Sequence, residues 1–457
     1  MRPPSARAVG RGVAALAALS VYSGLFVTGV ADARPRADVP GAVAPDVAVS
    51  RVDNPYVGAT AYVDPEWSAR AAAEPGGELV AGQPTAVWLD SVAAVEGAAV
   101  DLRDHLDGAL EQGAGLIQLV LYDLPGRDCG RYAAYGDLAP DEIDRYRTEF
   151  VDRIAAILSD PAYAGLRVVT VIEPNSLPSL ITHVSPRPTA DPECELIAAT
   201  NAYVDGIGYA LATLGALPNV YNYLDIADHG WLGWIDNFRP AAELFFAAAN
   251  TSGASPADVH GVIGNVAGYG VTHEPYFTVD DVVNGQPVRE YSRWIDWNDY
   301  VDEVPYALAM RDELVDAGFD PGLGVLIDTS RNGWGGLARP AGPGPRTDPN
   351  SYVDGGRLDR RINTNNWCNQ AGAGLGERPT AAPESGIDAY VWVKPPGESD
   401  GTGDRNDDHF EPTCDPTYSG PGADPDPTGA LPDAPPARAW FSAEFQELLR
   451  NAYPPAG

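Results

Sequence analysis

Seven short apolar segments recur along the chain, and stretches with helical periodicity separate most of them. The segments are TAVWLD, LIQLVLYDL, LRVVTVIEPN, NVYNYLDIAD, VHGVIGNVAGY, GVLIDTS and DAYVWVKPPG. The helical patterns cover residues 92–112, 141–159, 196–216, 238–251 and 299–317. Near-continuous apolar strands that alternate with helices are typical of a parallel sheet covered on both faces. The pattern predicts an α/β fold, a closed or nearly closed β/α barrel of seven strands, with a doubly wound open sheet as the alternative.

A polar side chain stands at or just beyond the end of each apolar segment. These residues are Asp90, Asp123, Glu173, Asp225, Asn265, Asp328 and Lys394. In a β/α barrel the carboxyl ends of the strands converge on one face, where active sites form. We therefore expect these side chains to line a polar cleft that is rich in carboxylates.

Aromatic residues accompany the polar ones. HGWLGW supplies Trp231 and Trp234, NNWCN supplies Trp367, and Tyr62 and Tyr122 are further candidates. Flat rings beside carboxylates suit sugars, whose C–H faces stack while their hydroxyls form hydrogen bonds. The sequence has no CxxC pair, no GxSxG motif and no phosphate-binding glycine loop. We therefore expect a carbohydrate ligand and neither a metal nor a cofactor.

The amino-terminal segment has the pattern of an export signal. Three arginines precede an apolar run over residues 13–31, and Ala-Asp-Ala at 31–33 matches a cleavage site. This predicts a signal peptide over residues 1–33 and a secreted protein; an uncleaved membrane anchor is the alternative. We interpret residues 34–50 as a flexible lead-in and residues 51–457 as one catalytic-sized domain.

Four cysteines occur, at positions 129, 194, 368 and 414. In an oxidising compartment two disulfides are the expected state, and four cysteines allow three connectivities. Of these we expect the sequential pairing, Cys129 with Cys194 and Cys368 with Cys414.

The chain is strongly acidic. Asp and Glu outnumber Lys and Arg by 64 to 30, which gives a formal net charge of −34. Such a surface repels nucleic acid and anionic lipid and favours neutral or cationic partners. We expect no nucleic-acid partner and no membrane association after signal cleavage, and we expect a monomer.

Several longer motifs resemble glycoside hydrolase family 6, the family of secreted cellobiohydrolases and endoglucanases that act on β-1,4-glucans. They are LVLYDLPGRDCGRYAAYG, VIEPNSLPSLITH, LDIADHGWLGW, IDTSRNGWGG, NNWCNQAGAGLGERP and YVWVKPPGESDG. The resemblance runs in order from about residue 54 to the carboxyl terminus. It implies a distorted seven-stranded parallel β/α barrel of the TIM-like type, with its active site at the carboxyl ends of the strands. It also implies an inverting mechanism and the same sequential disulfide pairing, and the long loop over residues 399–436 is similar to that of cellobiohydrolases.

The resemblance implies roles for individual residues. Asp128 matches the aspartate that assists the general acid, and Asp400 matches the proposed base. Tyr122 matches the ring that presses on the distorted sugar. The residues that match sugar-stacking or sugar-binding positions are Trp231, Trp234, Trp367, Lys394 and Glu398.

Five positions depart from the family pattern. Asn175 stands where the family has its proton-donating aspartate, and an amide cannot donate a proton at any useful pH. The other four are Ala134 for a serine, Asp228 for a histidine, His183 for an asparagine and Gly268 for a substrate-binding asparagine. We interpret them as drift or retuning of the whole site.

Asn175 leaves three hypotheses open. Another acid could donate the proton, either Asp128 or Glu173, which is two residues before Asn175 and so on the same side of its strand. Alternatively, the protein binds glucan without cleaving it, or Asn175 deamidates to aspartate in a fraction of the molecules. Loss of a general acid typically costs about 10²–10⁴ in rate, whereas binding need not suffer.

Overall fold

A curled, mainly parallel sheet organises the residues that the computed structural model describes, namely 51–131, 136–419 and 426–457. These residues belong to one unit, Ala48–Gly457. The predicted signal peptide, the predicted lead-in and Ala134 lie outside the described residues. Within the described part, no helix has the length and apolar character needed to cross a bilayer.

Seven parallel strands form the sheet, in the order β1-β2-β3-β4-β5-β8-β10, with β9 antiparallel at the edge and β6–β7 as a separate hairpin. Their bounds are β1 Val87–Leu89, β2 Leu116–Leu121, β3 Arg167–Ile172, β4 Val220–Asp225, β5 Gly261–Gly264, β6 Val282–Val283, β7 Gln286–Pro287, β8 Gly324–Asp328, β9 Thr380–Ala381 and β10 Ala389–Val391. The seven predicted strands are confirmed, whereas β9 and the hairpin were not predicted. The sequential order excludes the doubly wound alternative, in which the order reverses.

The two ends of the curled sheet meet beside β1. The Ala86 N–H donates to the Trp392 carbonyl oxygen at 3.0 Å, and the Trp88 indole N–H donates to the Val393 carbonyl oxygen at 2.9 Å. This seam replaces a regular strand pair, so the barrel is distorted, as the resemblance implies.

Helices lie between most of the strands along the chain. Their bounds are α1 Pro65–Ala73, α2 Val92–Val95, α3 Leu102–Glu111, α4 Ile143–Arg145, α5 Asp152–Leu158, α6 Ser176–Thr182, α7 Pro192–Thr200, α8 Ala202–Gly215, α9 His229–Leu232, α10 Ile235–Ala248, α11 Val288–Tyr291, α12 Glu303–Ala317, α13 Pro349–Gly356 and α14 Ser442–Arg450. Of these, α2, α3, α8 and α12 pack against the strands of the sheet, and the other helices lie in the connections and at the ends of the described chain. A π-helical segment, Tyr146–Val151, joins α4 to α5. The predicted helix over 196–216 is interrupted at Asn201, whose φ of +58° ends α7, because a left-handed residue cannot continue a helix.

The strands are buried on both faces. Every residue of β2 and of β4 is buried, with one set of apolar side chains inside the barrel and the other against the helices. Continuous burial explains why these strands are apolar throughout instead of alternating. It also fixes the positions of the loops that leave the carboxyl ends of the strands.

Two disulfides join Cys129 to Cys194 and Cys368 to Cys414, which confirms the sequential pairing. Cys129 directly follows Asp128, and Cys368 directly follows Trp367. Each disulfide therefore ties down a segment that carries a predicted site residue.

Candidate active site

A cavity of about 680 Å³ lies at the carboxyl ends of the strands. This volume is within the usual range of ligand sites. Ten of the predicted site residues line it: Tyr122, Asp128, Asn175, Trp231, Trp234, Gly268, Trp367, Lys394, Glu398 and Asp400. The motifs of distant segments thus converge on one cavity, and Asp228 and His183 also lie in its wall.

Asn175 and Asp128 are neighbours in this cavity. Asn175 directly precedes α6 and has a φ of +66°, and its backbone N–H donates to Asp225 Oδ2 at 2.8 Å. Its side-chain amide donates to Asp128 Oδ2 at 3.4 Å, and the Tyr122 hydroxyl donates to the same oxygen. Asp128 Oδ1 is buried without a hydrogen-bond partner among the described residues. Asp128 is therefore a carboxyl group that lies directly beside Asn175.

Asp400 is held by two cations and two further donors. Arg331 Nη1 lies 2.7 Å from Oδ2 and Lys394 Nζ lies 3.4 Å from Oδ1, while the Asn369 N–H and the Tyr269 hydroxyl donate at 2.8 and 3.2 Å. Burial alone would raise the pKa of Asp400, but Arg331 and Lys394 outweigh it and hold the pKa below its usual range. Asp400 is therefore a carboxylate at neutral pH.

The expectation that strand-end carboxylates line the cleft is wrong for most of them. Of the seven strand-end residues only Lys394 belongs to the cavity wall. Asp328 Oδ2 instead accepts from the backbone N–H groups of Ala267 and Lys394 at 2.9 and 3.1 Å. The physical reason is that the loops leaving a parallel sheet carry unpaired N–H groups, which buried carboxylates satisfy.

The same finding contradicts the hypothesis that Glu173 is the substitute acid. Its carboxylate is 1% exposed and accepts from the backbone N–H groups of Asp123 and Leu124 at 3.1 and 3.2 Å. It therefore faces the interior beneath the cavity and cannot reach a leaving oxygen.

Tyr62 was also wrongly predicted to contact the ligand. Its N–H donates to the Leu116 carbonyl oxygen at 2.8 Å, where β2 begins, and its hydroxyl lies 3.1 Å from His105 Nδ1. It borders a second cavity, of about 170 Å³, at the amino end of the sheet. The segment that carries Tyr62 precedes β1, so the chain places it at the end of the sheet opposite to the predicted site.

Arg131 was missed by the sequence analysis. Its guanidinium carbon lies 4.5 Å from the ring centre of Trp367 and 5.3 Å from that of Trp231, and Nη1 lies 4.0 Å from Asp128 Oδ2. The signal that could have indicated it is its place three residues after Asp128 in GRDCGR.

The cavity wall has as many basic as acidic residues, unlike the chain as a whole. Its described basic residues are Arg127, Arg131, Arg361, Lys394 and Arg438, and its described acidic residues are Asp128, Asp228, Glu398, Asp400 and Glu411. The equal numbers contrast with the 30 basic and 64 acidic residues of the whole chain. Basic residues are therefore more frequent, relative to acidic ones, in the cavity wall than in the whole sequence.

Asp228, His229 and Glu303 place three potential metal-ligand atoms within 4.8 Å of one another. His229 Nδ1 and Glu303 Oε1, however, are 2.6 Å apart and already form a hydrogen bond. Burial opposes protonation of His229, but Glu303 outweighs it and raises the pKa of the imidazole. The hydrogen bond already satisfies one imidazole nitrogen and one Glu303 oxygen, so these residues fit a hydrogen-bonded pair better than a cation site.

A layer of buried carboxyl groups beneath the cavity makes stability depend on pH. Burial raises the pKa of Glu173 to about 7 from an ordinary value of 4.5. The folded chain then binds more protons than the unfolded one in this interval, so the free energy of unfolding should fall as pH rises from about 4.5 to about 7. We expect Glu173→Gln to reduce that fall by about 3 kcal/mol in urea unfolding, whereas exposed Glu78→Gln should not. An unchanged slope in the Glu173 variant would contradict the assignment.

The comparisons with known proteins all indicate the same protein family. The family model described as "Glycosyl hydrolases family 6" matches residues 52–452. Exoglucanase A of Cellulomonas fimi is 43% identical over 435 residues, which cover 89% of this chain and 49% of that protein, so the chain spans about half the length of this relative. The 1,4-beta-D-glucan cellobiohydrolase CEL6C of Podospora anserina is 36% identical over 388 residues, covering 83% of this chain and 80% of that protein.

Solved structures are similar over the same region. The catalytic domain of Cellulomonas fimi Cel6B matches with a TM-score of 0.83 and 43% identity, covering 89% of this chain and 97% of that one. The CcCel6A catalytic domain complexed with p-nitrophenyl beta-D-cellotrioside matches with a TM-score of 0.68 and 31% identity, covering 88% and 99%.

Proposed function

The chain belongs to glycosyl hydrolase family 6, and from this premise we propose that it is a secreted protein whose cavity binds β-1,4-glucan chains and hydrolyses them slowly, with inversion. The observation that carries the proposal is Asp128, a carboxyl group in the cavity wall 3.4 Å from the Asn175 amide. Asn175 cannot protonate a leaving oxygen, whereas its neighbour Asp128 carries a carboxyl group that can.

The proposed reaction needs a base and an acid on opposite sides of the sugar. Water attacks the anomeric carbon while its proton passes towards the Asp400 carboxylate, which Arg331 and Lys394 keep ionised. The glycosidic C–O bond breaks, and the leaving oxygen takes its proton from the Asp128 carboxyl group. Because Asp128 assists rather than donates in the family pattern, its geometry is not that of a dedicated acid, and we expect a low rate.

The loop over residues 399–436 supports release of cellobiose from a chain end. Its described part contributes Asp400, His409, Glu411, Thr413 and Pro436 to the cavity wall. In the cellobiohydrolases that the chain resembles, a long loop here roofs the cleft into a tunnel, and we expect a single glucan chain to thread along this cavity in the same way.

A second candidate function is glucan binding without cleavage. Asn175 favours it, because the aromatic residues of the cavity are present while the usual proton donor is not. Cello-oligosaccharide binding by the native chain, with no cellobiose release above background, would establish this second function in place of the first.

Asp128→Asn tests the assignment of the proton donor. We make this substitution in the native chain, with Asn175 unchanged. The variant should release cellobiose from cellohexaose about 10²-fold or more slowly than the native chain, because no carboxyl group then remains beside the leaving oxygen. A dinitrophenyl β-cellobioside needs no protonation of its leaving group, so its hydrolysis should fall far less. Equal losses on both substrates would show that Asp128 does not act as the acid.

A further inference from the structure

The guanidinium of Arg131 lies on the two rings that the family resemblance assigns to sugar stacking. It is 4.5 Å from the centre of Trp367 and 5.3 Å from the centre of Trp231. A cation over an indole face is attracted to the electron-rich ring, so this arrangement is favourable. A neutral glucosyl unit that stacks on the covered face of Trp231 or Trp367 must first displace Arg131 from that face.

The guanidinium keeps hydrogen-bonding capacity for a ligand. The side chain of Arg131 is 22% exposed, and its ion-pair contact among the described residues is Asp128 Oδ2 at 4.0 Å. That distance is too long for a hydrogen bond, and a guanidinium has five N–H donors in a planar fork that matches a carboxylate.

The residues around Arg131 repel a carboxylate ligand less than the net charge of the whole chain would suggest. Asn175, beside Asp128, is a neutral amide and adds no negative charge to this corner of the cavity. The described lining has equal numbers of basic and acidic residues. The net charge of −34 acts mainly outside the cavity, where salt screens it within about 8 Å.

We propose that Arg131 makes the site between Trp231 and Trp367 selective for a glucan that bears a carboxylate, such as a glucuronosyl unit. This inference rests on the proposed function in requiring that the cavity takes a glucan. The carboxylate pairs with the guanidinium fork, and the sugar ring occupies the indole face that the guanidinium leaves. A short ligand with one carboxylate is favoured over a polyuronate, because the acidic surface repels a chain of many charges.

Calorimetric titration of cellobiose and of cellobiouronic acid, the β-1,4-linked disaccharide of glucuronic acid and glucose, tests the proposal. We expect the native chain to bind the uronic acid about tenfold more tightly than cellobiose, with a preference that declines as salt is added. In Arg131→Gln the preference should vanish, and cellobiose should bind at least as well as to the native chain. Arg438→Gln is the matched control, because Arg438 is another cation of the cavity wall, paired with Asp90, and it should keep the preference.

The outcomes separate this inference from the proposed function. Equal binding of the two disaccharides by the native chain, or a preference that survives in Arg131→Gln, would overturn the role of Arg131 while leaving glucan binding intact. Loss of the preference in both arginine variants would indicate a general field effect and would also overturn it. Failure of cellobiose, cellohexaose and cellobiouronic acid to bind would instead overturn the proposed function. Thermal unfolding of each variant checks that the fold is retained.

Discussion

Asn175→Asp is expected to release cellobiose from cellohexaose about 10²–10⁴ times faster than the native chain. The variant restores a carboxyl group where the amide now lies 3.4 Å from Asp128, so that Asp128 can assist a donor instead of replacing one. The backbone at this position has a φ of +66°, which aspartate adopts about as readily as asparagine. The substitution should therefore change the chemistry without straining α6.

Asn201→Asp is the matched control, because Asn201 also has a positive φ, +58°, and lies outside the cavity wall. It should leave the rate unchanged. Mass analysis of the peptide that contains Asn175 must accompany the native measurement, since deamidation adds about one dalton and would supply a fraction of repaired molecules. A native rate equal to that of the Asn175→Asp variant, in undeamidated protein, would show that proton donation does not depend on this position.

Arg331→Leu is expected to lower the free energy of unfolding by about 3–5 kcal/mol, because it removes a buried cation from Glu444 and leaves Asp400 with Lys394 as its described cation. Arg331 is 1% exposed and lies 2.7 Å from Asp400 and 3.2 Å from Glu444. Burial raises the pKa of Glu444 to about 7 even with the guanidinium present. Without Arg331 both carboxyl groups should take up protons more readily, so the loss of stability should be larger at pH 8 than at pH 5.

Urea unfolding at the two pH values measures this effect. Arg145→Leu is the matched control, since Arg145 also contacts two carboxylates, Glu142 and Glu149 at 2.9 and 3.1 Å, but on the surface. Solvent and salt already screen that cluster, so its loss should be much smaller. Comparable losses in the two variants would mean that the buried arginine is not needed to compensate Asp400 and Glu444.

The strands were predictable because burial on both faces requires apolar side chains along their whole length. A run such as LIQLVLYDL has no polar alternation to suggest an exposed side, and its length suits a strand. The break at Asn201 was not predictable from helical periodicity, because a left-handed residue interrupts the backbone without altering the spacing of apolar side chains.

Only those candidate site residues that lie in recognisable sequence motifs could be predicted. Asp128, Asn175 and Asp400 lie in segments whose order and neighbours identify them, and they line one cavity. The position of Arg131 depends on where Trp231 and Trp367 are brought by other parts of the chain, which no local pattern encodes. The prediction for Glu173 was wrong for a different reason. A carboxyl group after a strand is equally suited to binding a ligand or to accepting from unpaired backbone N–H groups, and the Glu173 carboxylate accepts from the backbone.

The two disulfides lie beside the site and not between strands of the sheet. Cys129 directly follows Asp128, and Cys368 directly follows Trp367, whereas hydrogen bonds between strands and apolar packing hold the sheet. We therefore expect reduction of the disulfides to loosen these two segments, and with them the cavity wall, more than the sheet.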